Sequence, residues 1–573
     1  MKRRTAWIVA GGVAAVAMGA AAVGALALLL RGGGAGRSWG AGETYLALTL
    51  AGEVPEQPPS ELESFLERHP TSLHTIVESL DRAAEDGKVK ALVLRLRLLP
   101  DSGWAKVQEL RDAIVRFRKS GKPAYAHIEH CGNKEYYLAT ACTKVYAVPT
   151  ALLDVSGLAA EVTFFRNTLD KLGIEAQFVG VGRYKNAPNQ FTETGFTEPH
   201  REQTEALLDS LHAQLLEGIA QGRRMTPAQV QALMDEGPFD AKQALAAGLV
   251  DELLYRDELE ARLGSAERVT PGRYVKAARG GFTLDARPKV ALVYAVGEIV
   301  PGESDTGGFG GPLAGGDTLA RAVLQARSDS DVRAIVLRVD SPGGSGTASD
   351  VIWKEVEKAA QSKPVVVSMG DVAASGGYYI AMSGNAIVAQ PGTITGSIGV
   401  FGGKFSLRGF YDKIGLTKEI VARGRNAALF SEYRPWDERE RAKVQSLMSS
   451  FYKEFVTKAA KGRAKTFDEV DEVAQGRVWT GTDALRVGLV DRLGGLDDAI
   501  ALAKEKAGIA RGQEVTLVIL PERKGFLQAL LERQEEVAAG KALPADVRAL
   551  VHWGSLLDGR SPIARLPFEV RFR

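Results

Sequence analysis

Val365-Val366-Val367-Ser368-Met369-Gly370-Asp371-Val372-Ala373-Ala374-Ser375-Gly376-Gly377-Tyr378-Tyr379 reads as a strand, a tight turn and the beginning of a helix. The β-branched run at 365–369 suits a strand buried on both faces. The turn is built from small residues, and Ser375 stands where the helix begins. Residues 290–296 and 334–339 are runs of the same kind. Helical patterns lie between them: 319–326 follows Asp317, a candidate N-cap, and 348–360 follows a glycine turn. Strand and helix in alternation predict an α/β fold whose sheet is parallel or mostly parallel and covered by helices.

The same signals occur twice. Tyr378-Tyr379-Ile380-Ala381 has a counterpart, Tyr136-Tyr137-Leu138-Ala139, 242 residues earlier. Lys413-Ile414-Gly415-Leu416 repeats Lys171-Leu172-Gly173-Ile174, and Pro391 repeats Pro149, at that same spacing. Ala334-Ile335-Val336-Leu337-Arg338 repeats Ala91-Leu92-Val93-Leu94-Arg95 at 243, so small insertions separate the copies. A period this long marks a duplicated domain, since solenoid repeats run only about 20–50 residues. The copies are placed at 44–264 and 289–510, with a linker at 265–288 that carries Pro271, Gly272, Gly280 and Gly281. Residues 511–573 are a tail outside the repeat, in which 525–539 has a helical pattern and 566–572 alternates like a strand.

Composition narrows the class. The chain has 573 residues, too many for one core, since single cores stop growing near about 250–300. Hydrophobic residues make up 45% and charged residues 25%, which excludes a disordered or multi-span membrane protein. A balance of 72 basic against 70 acidic residues gives no footprint for nucleic acid. Two cysteines cannot build a disulfide framework or a four-thiolate zinc site, and no cluster has metal-ligand spacing; no cofactor is implied. Cys131 and Cys142 could pair only outside a reducing compartment.

Residues 6–30 are uncharged, and as a helix they reach about 37 Å, enough for a hydrocarbon core of ~30 Å. Lys2, Arg3 and Arg4 precede this run, so the positive-inside rule leaves residues 1–5 in the cytoplasm and the bulk outside. The reading is a single transmembrane anchor at 6–30 and a glycine-rich tether at 31–43. A cleaved signal peptide competes with it, because Ala25-Leu26-Ala27 resembles a cleavage site.

Ser375 at a helix start has amides and a positive dipole end beside it, suited to a developing negative charge. The Gly376 amide is one candidate oxyanion donor, and Gly343 and Gly344, in the loop after 334–339, are others. A serine nucleophile needs a base. The second copy contains no histidine; His127 and His130 of the first would have to reach across. Lys185 is the other candidate: it follows the apolar run 176–181, and burial would lower its pKa until the neutral amine accepts a proton. The 242-residue offset carries Ser375 onto Asn133 and Lys185 onto Ala427. One copy holds the amine, the other the hydroxyl, as a single site shared between halves requires. Residues 302–316, with seven glycines, are expected to form a mobile loop near it.

These residues together resemble the signal peptide peptidase A family, peptidase family S49, in its long tandem-repeat form. The resemblance is carried by Ser341-Pro342-Gly343-Gly344, by 370–379, by Gly392-Thr393-Ile394-Thr395-Gly396-Ser397-Ile398-Gly399-Val400, by Gly476-Arg477-Val478-Trp479-Thr480-Gly481 and by Gly182-Arg183-Tyr184-Lys185. It implies tandem Clp/crotonase-like α/β domains and a serine protease of the bacterial inner membrane, its catalytic domain periplasmic. It implies Ser375 as nucleophile, Lys185 as general base, Gly376, Gly343 and Gly344 as oxyanion hole, and Ser397 as the residue orienting the lysine. The substrates implied are remnant signal peptides and other apolar peptides, and the assembly a homo-oligomer, a tetramer. Three other readings stand beside it: an acyl-CoA enzyme of crotonase type, a non-catalytic membrane scaffold, and a Ser-His hydrolase using His127 or His130.

Overall fold

The computed structural model describes residues 42–58, 71–278, 287–305, 311–522 and, as backbone, 563–565. In the first repeat β1 (Thr44–Leu50), β2 (Val89–Leu96), β3 (Ala124–Cys131) and β4 (Lys144–Leu153) run parallel in the spatial order β4-β3-β2-β1. They are connected by α1 (Leu73–Glu85), α2 (Trp104–Lys119) and α3 (Asn133–Ala139). The chain then leaves this sheet through β5 (Glu175–Val181) and continues into the long α4 (Glu198–Arg223).

The second repeat rebuilds the plan with β6 (Lys289–Val296), α5 (Gly316–Ser328), β7 (Val332–Ser341), β8 (Gly343–Ser345), α6 (Gly346–Ala360), β9 (Val365–Ala374) and α7 (Gly376–Ala381). β10 (Ile394–Gly396), β11 (Val400–Ser406), α8 (Glu438–Gly462), β12 (Val478–Thr480) and β13 (Thr516–Leu520) come after them. The central order is β10-β9-β7-β6-β13, parallel throughout. Both faces are covered, as the continuous apolar runs require. Ala291, Val293 and Ala295 of β6 enter one core, while Val290, Leu292 and Tyr294 pack with Leu496, Ala499 and Ala503. Burying each such Val or Leu contributes roughly 1.5–3 kcal/mol, so these strands hold the sheet together.

The repeats interlock. β5 of the first pairs antiparallel with β11 of the second, from Val181 opposite Val400 to Glu175 opposite Ser406. α4 lies on β12, where the Val478 N–H donates to Gln203 Oε1 at 2.8 Å. Ala374, Ile394 and Val478 belong to the hydrophobic core of the first repeat. A short strand, β14 (Ile563–Arg565), lies antiparallel between β8 and β11, with Gly343 opposite Arg565 and Phe401 opposite Ile563.

Several boundaries differ from the sequence reading. β9 runs on to Ala374, so the tight turn falls at Ser375 itself. α5 begins at Gly316 behind Gly315, which places Asp317 in the first turn rather than at the cap. Part of the expected linker is regular structure, because Val269, Tyr274 and Val275 find apolar cover: Glu267–Val269 pairs with β1 and Pro271–Ala278 is a helix. Around the glycine loop, Leu313–Gly315 pairs with Glu298–Val300, while 306–310 lie outside the described residues. The anchor at 6–30 and the tail patterns at 525–539 and 566–572 also lie outside them. Among the described residues no helix is long and apolar enough to cross a membrane.

Candidate active site

Ser375 joins β9 to α7 with φ 55° and ψ −111°. A non-glycine residue at positive φ stores about 1–3 kcal/mol of strain, and such residues cluster at functional sites. The backbone around it is tied down: the Ser375 N–H donates to Gly396 O, and the Tyr379 N–H to Ser375 O, both at 2.8 Å. Gly377 must be glycine, since a Cβ there would lie 2.6 Å from Ser341 O.

Lys185 arrives from the other repeat. β5 sets its direction, and the loop after β5 docks on the segment before β12. The Tyr184 N–H donates to Gln475 O at 2.7 Å, and the Gly476 N–H to Ile398 O at 2.8 Å. A Cβ on Gly476, whose φ is 75°, would lie 2.6 Å from the lysine's own Cβ. The Arg477 guanidinium covers the Tyr184 ring at 4.7 Å, and both residues hydrogen-bond Glu202 at 2.9 Å.

The lysine ends inside. Its Nζ lies 2.7 Å from Ser375 Oγ, 2.9 Å from Ser397 Oγ and 3.1 Å from Ser397 O, all within hydrogen-bond distance. Lys185 is 5% exposed, and Ser375 and Ser397 are fully buried. All three partners are neutral. Burial therefore holds the Lys185 amine well below the ordinary lysine range, because removing water disfavours the ammonium form. Ser397 also has a positive φ, 51°, and its N–H donates to Arg477 O at 2.7 Å. A neutral amine in hydrogen-bond contact with a hydroxyl can take its proton.

Gly343 and Gly344 have φ 97° and 150°, and a Cβ on Gly344 would lie 2.1 Å from Ile299 O. A side chain on Gly344 would not fit there. The Gly343 N–H donates to Ser341 Oγ at 3.2 Å. Gly376 opens α7 directly after Ser375.

The histidines are elsewhere. His127 is buried with Nε2 3.3 Å from Leu254 O, its pKa lowered by burial, and His130 is exposed. Among the described residues neither hydrogen-bonds Ser375 or Lys185. Asn133, in the place equivalent to Ser375, bonds the backbone of Gly157 through both ends of its amide. Cys131 and Cys142 are free and buried; burial pushes the Cys142 thiol up to about 12 and holds the Cys131 thiol well above its ordinary value, which leaves both unreactive. Gly476 was visible only as part of a motif, and nothing in the sequence tied Glu202 to the site.

A sequence model of peptidase family S49 matches residues 116–270 and, a second time, residues 357–510. The chain belongs to peptidase family S49. "Serine protease SPPA, chloroplastic" of Arabidopsis thaliana is 38% identical over 501 residues, 85% of this chain and 73% of that one. "Protease 4" of Salmonella typhi is 36% identical over 451 residues, 76% of this chain and 72% of its own length. "Protease 4" of Haemophilus influenzae is 31% identical over 456 residues, 76% and 73%. This S49 peptidase is thus a serine peptidase of two interlocked α/β repeats, with similarity spanning both.

Proposed function

We propose that this S49 peptidase hydrolyses extended apolar peptides with Ser375 as nucleophile and Lys185 as general base. The 2.7 Å contact between Lys185 Nζ and Ser375 Oγ, buried and without a carboxylate, carries the proposal. The amine takes the hydroxyl proton as Oγ attacks the scissile carbonyl. The oxyanion forms against the amides of Gly376 and the Gly343–Gly344 strand; the Gly343 N–H turns to it from Ser341 Oγ. One such donor is typically worth about 3–4 kcal/mol. Lys185 then protonates the leaving amine and activates the water that releases the acyl group. Ser397 accepts a second hydrogen bond from the amine and fixes its direction. The groove between β8 and β11 supports a peptide rather than an acyl-CoA substrate, because the chain's own residues 563–565 lie there as an antiparallel strand.

The anchor at 6–30 would hold the site at the outer face of a bacterial inner membrane, where remnant signal peptides are the available apolar peptides. A homo-oligomer, a tetramer, completes the reading. The test is turnover of a signal-peptide sequence and a polar control by the detergent-solubilised full chain. Ser375→Ala and Lys185→Ala should each abolish cleavage, and His127→Ala/His130→Ala should not. An active Lys185→Ala with a dead histidine variant would move the base to histidine, and no cleavage by assembled wild type would favour a scaffold.

A further inference from the structure

Six charged side chains meet where the two repeats join. Glu56, Lys106 and Glu109 come from the first, and Arg338, Asp340 and Asp371 from the second. Lys106 Nζ lies 3.0 Å from Asp340, 3.4 Å from Asp371 and 3.9 Å from Glu56. Arg338 grips both oxygens of Glu56, at 2.9 and 3.0 Å, and reaches Glu109 at 3.0 Å. None of the six side chains is more than 12% exposed. Such burial is a poor way to gain stability, because each ion gives up several kcal/mol of hydration, by order of magnitude. The place of the cluster suggests another purpose.

β7 and β9 are in simple register up to Val339 opposite Met369, but the next pair is Ser341 opposite Ala373. Gly370, Asp371 and Val372 therefore stand against Asp340 alone. A bulge of this kind bends a strand and re-aims the residues downstream of it. Past β7 the chain reaches Gly343 three residues beyond Asp340. Past β9 it reaches Ser375 four residues beyond Asp371. The bulge is packed without slack. The Val372 N–H donates to Asp340 Oδ1 at 3.0 Å, and Asp371 accepts from the Gly103 and Lys106 N–H groups at 2.8 and 2.9 Å. A Cβ on Gly103 would lie 2.4 Å from the Asp371 carboxyl carbon. Among the described residues Lys106 is the one cation within 4 Å of both aspartates, so it offsets a repulsion that would push the two strand ends apart.

We propose that Lys106 is a positioning residue: by bridging Asp340 and Asp371 of the other repeat it fixes the bulge, and with it the spacing between the Gly343–Gly344 amides and the Ser375 hydroxyl. The inference rests on the roles given to Ser375 and to those amides.

Turnover of one apolar peptide by the solubilised full chain tests it, with kcat expressed per mole of folded protein. Lys106→Met should lower kcat about 100-fold, the scale of one misplaced oxyanion donor. KM should stay within about threefold, since the peptide groove is untouched. The pH limb that reports Lys185 should not move, and Lys106→Arg should recover part of the rate. If Lys106→Met does not fold, the near-isosteric Asp371→Asn decides, with the same expected kcat loss. A kcat within about threefold of wild type in a folded variant overturns the inference. So does a loss accounted for entirely by unfolded protein, or a shifted Lys185 limb. If Ser375→Ala remains active, the parent assignment fails whatever Lys106 does. If Ser375→Ala is dead and folded Lys106→Met is fully active, only the positioning role fails.

Discussion

Two lysines of this chain are equally buried and opposite in chemistry. Lys106 sits among three carboxylates, which hold its pKa above the ordinary lysine range despite burial. Lys185 has only hydroxyls and a carbonyl, and burial alone drives its pKa down. The lowered value predicts a pH profile. The amine is a base only when neutral, so kcat/KM should rise with pH through an apparent pKa well below 10.5 and then hold. Stopped assays across pH with a non-ionising peptide measure this limb. A midpoint at the ordinary lysine value would contradict the burial argument. The same shift has a stability consequence. Between the folded and unfolded pKa the unfolded chain binds more protons, so stability rises with pH across that window and is reduced below it. Lys185→Met should therefore be inactive yet melt at least about 2 °C higher than wild type near neutral pH, by calorimetry. An inactive variant that melts lower would mean that the hydrogen bonds to Ser397 outweigh the desolvation.

At the scale of elements, the site depends on close backbone approaches that only glycine permits. Gly476 backs the lysine loop, and Gly476→Ala would drive a methyl group against the Lys185 Cβ from a position whose φ is already 75°. Activity should fall at least about 10-fold from displaced proton transfer, whose full contribution is about 10²–10⁴. Circular dichroism should show the fold retained. The strand-helix alternation, the duplication and the pairing of Ser375 with Lys185 were legible because they rest on periodicity and on one repeated register. The bulge at Gly370–Val372 was not. Asp371 and Val372 read as part of a turn, and only the pairing with β7 shows them as a strand with surplus residues. The helix inside 265–288 is hidden for a similar reason: Pro271 and Gly272 look like loop residues until Tyr274 and Val275 find the core of the first repeat. Glu202 and the charge cluster were invisible because their partners lie up to 282 residues away, a pairing that no local pattern encodes.

The whole molecule explains why neither half keeps a complete site. β5 and β11 form one sheet, α4 covers β12, and the lysine loop can reach Ser375 only when the repeats are locked together. That same sheet has a slot between β8 and β11, and residues 563–565 fill it by backbone pairing on both sides. They run antiparallel to Gly343–Ser345. A segment of the same chain held in this slot would compete with a peptide in solution and raise its apparent KM. Ending the chain at residue 522 should therefore lower KM for a short apolar peptide several-fold and leave kcat per active site unchanged. Steady-state kinetics on the full and shortened chains, each titrated with an irreversible serine reagent, measures both constants. A raised KM or a fall in kcat after truncation would mean that the strand completes the groove rather than competing for it.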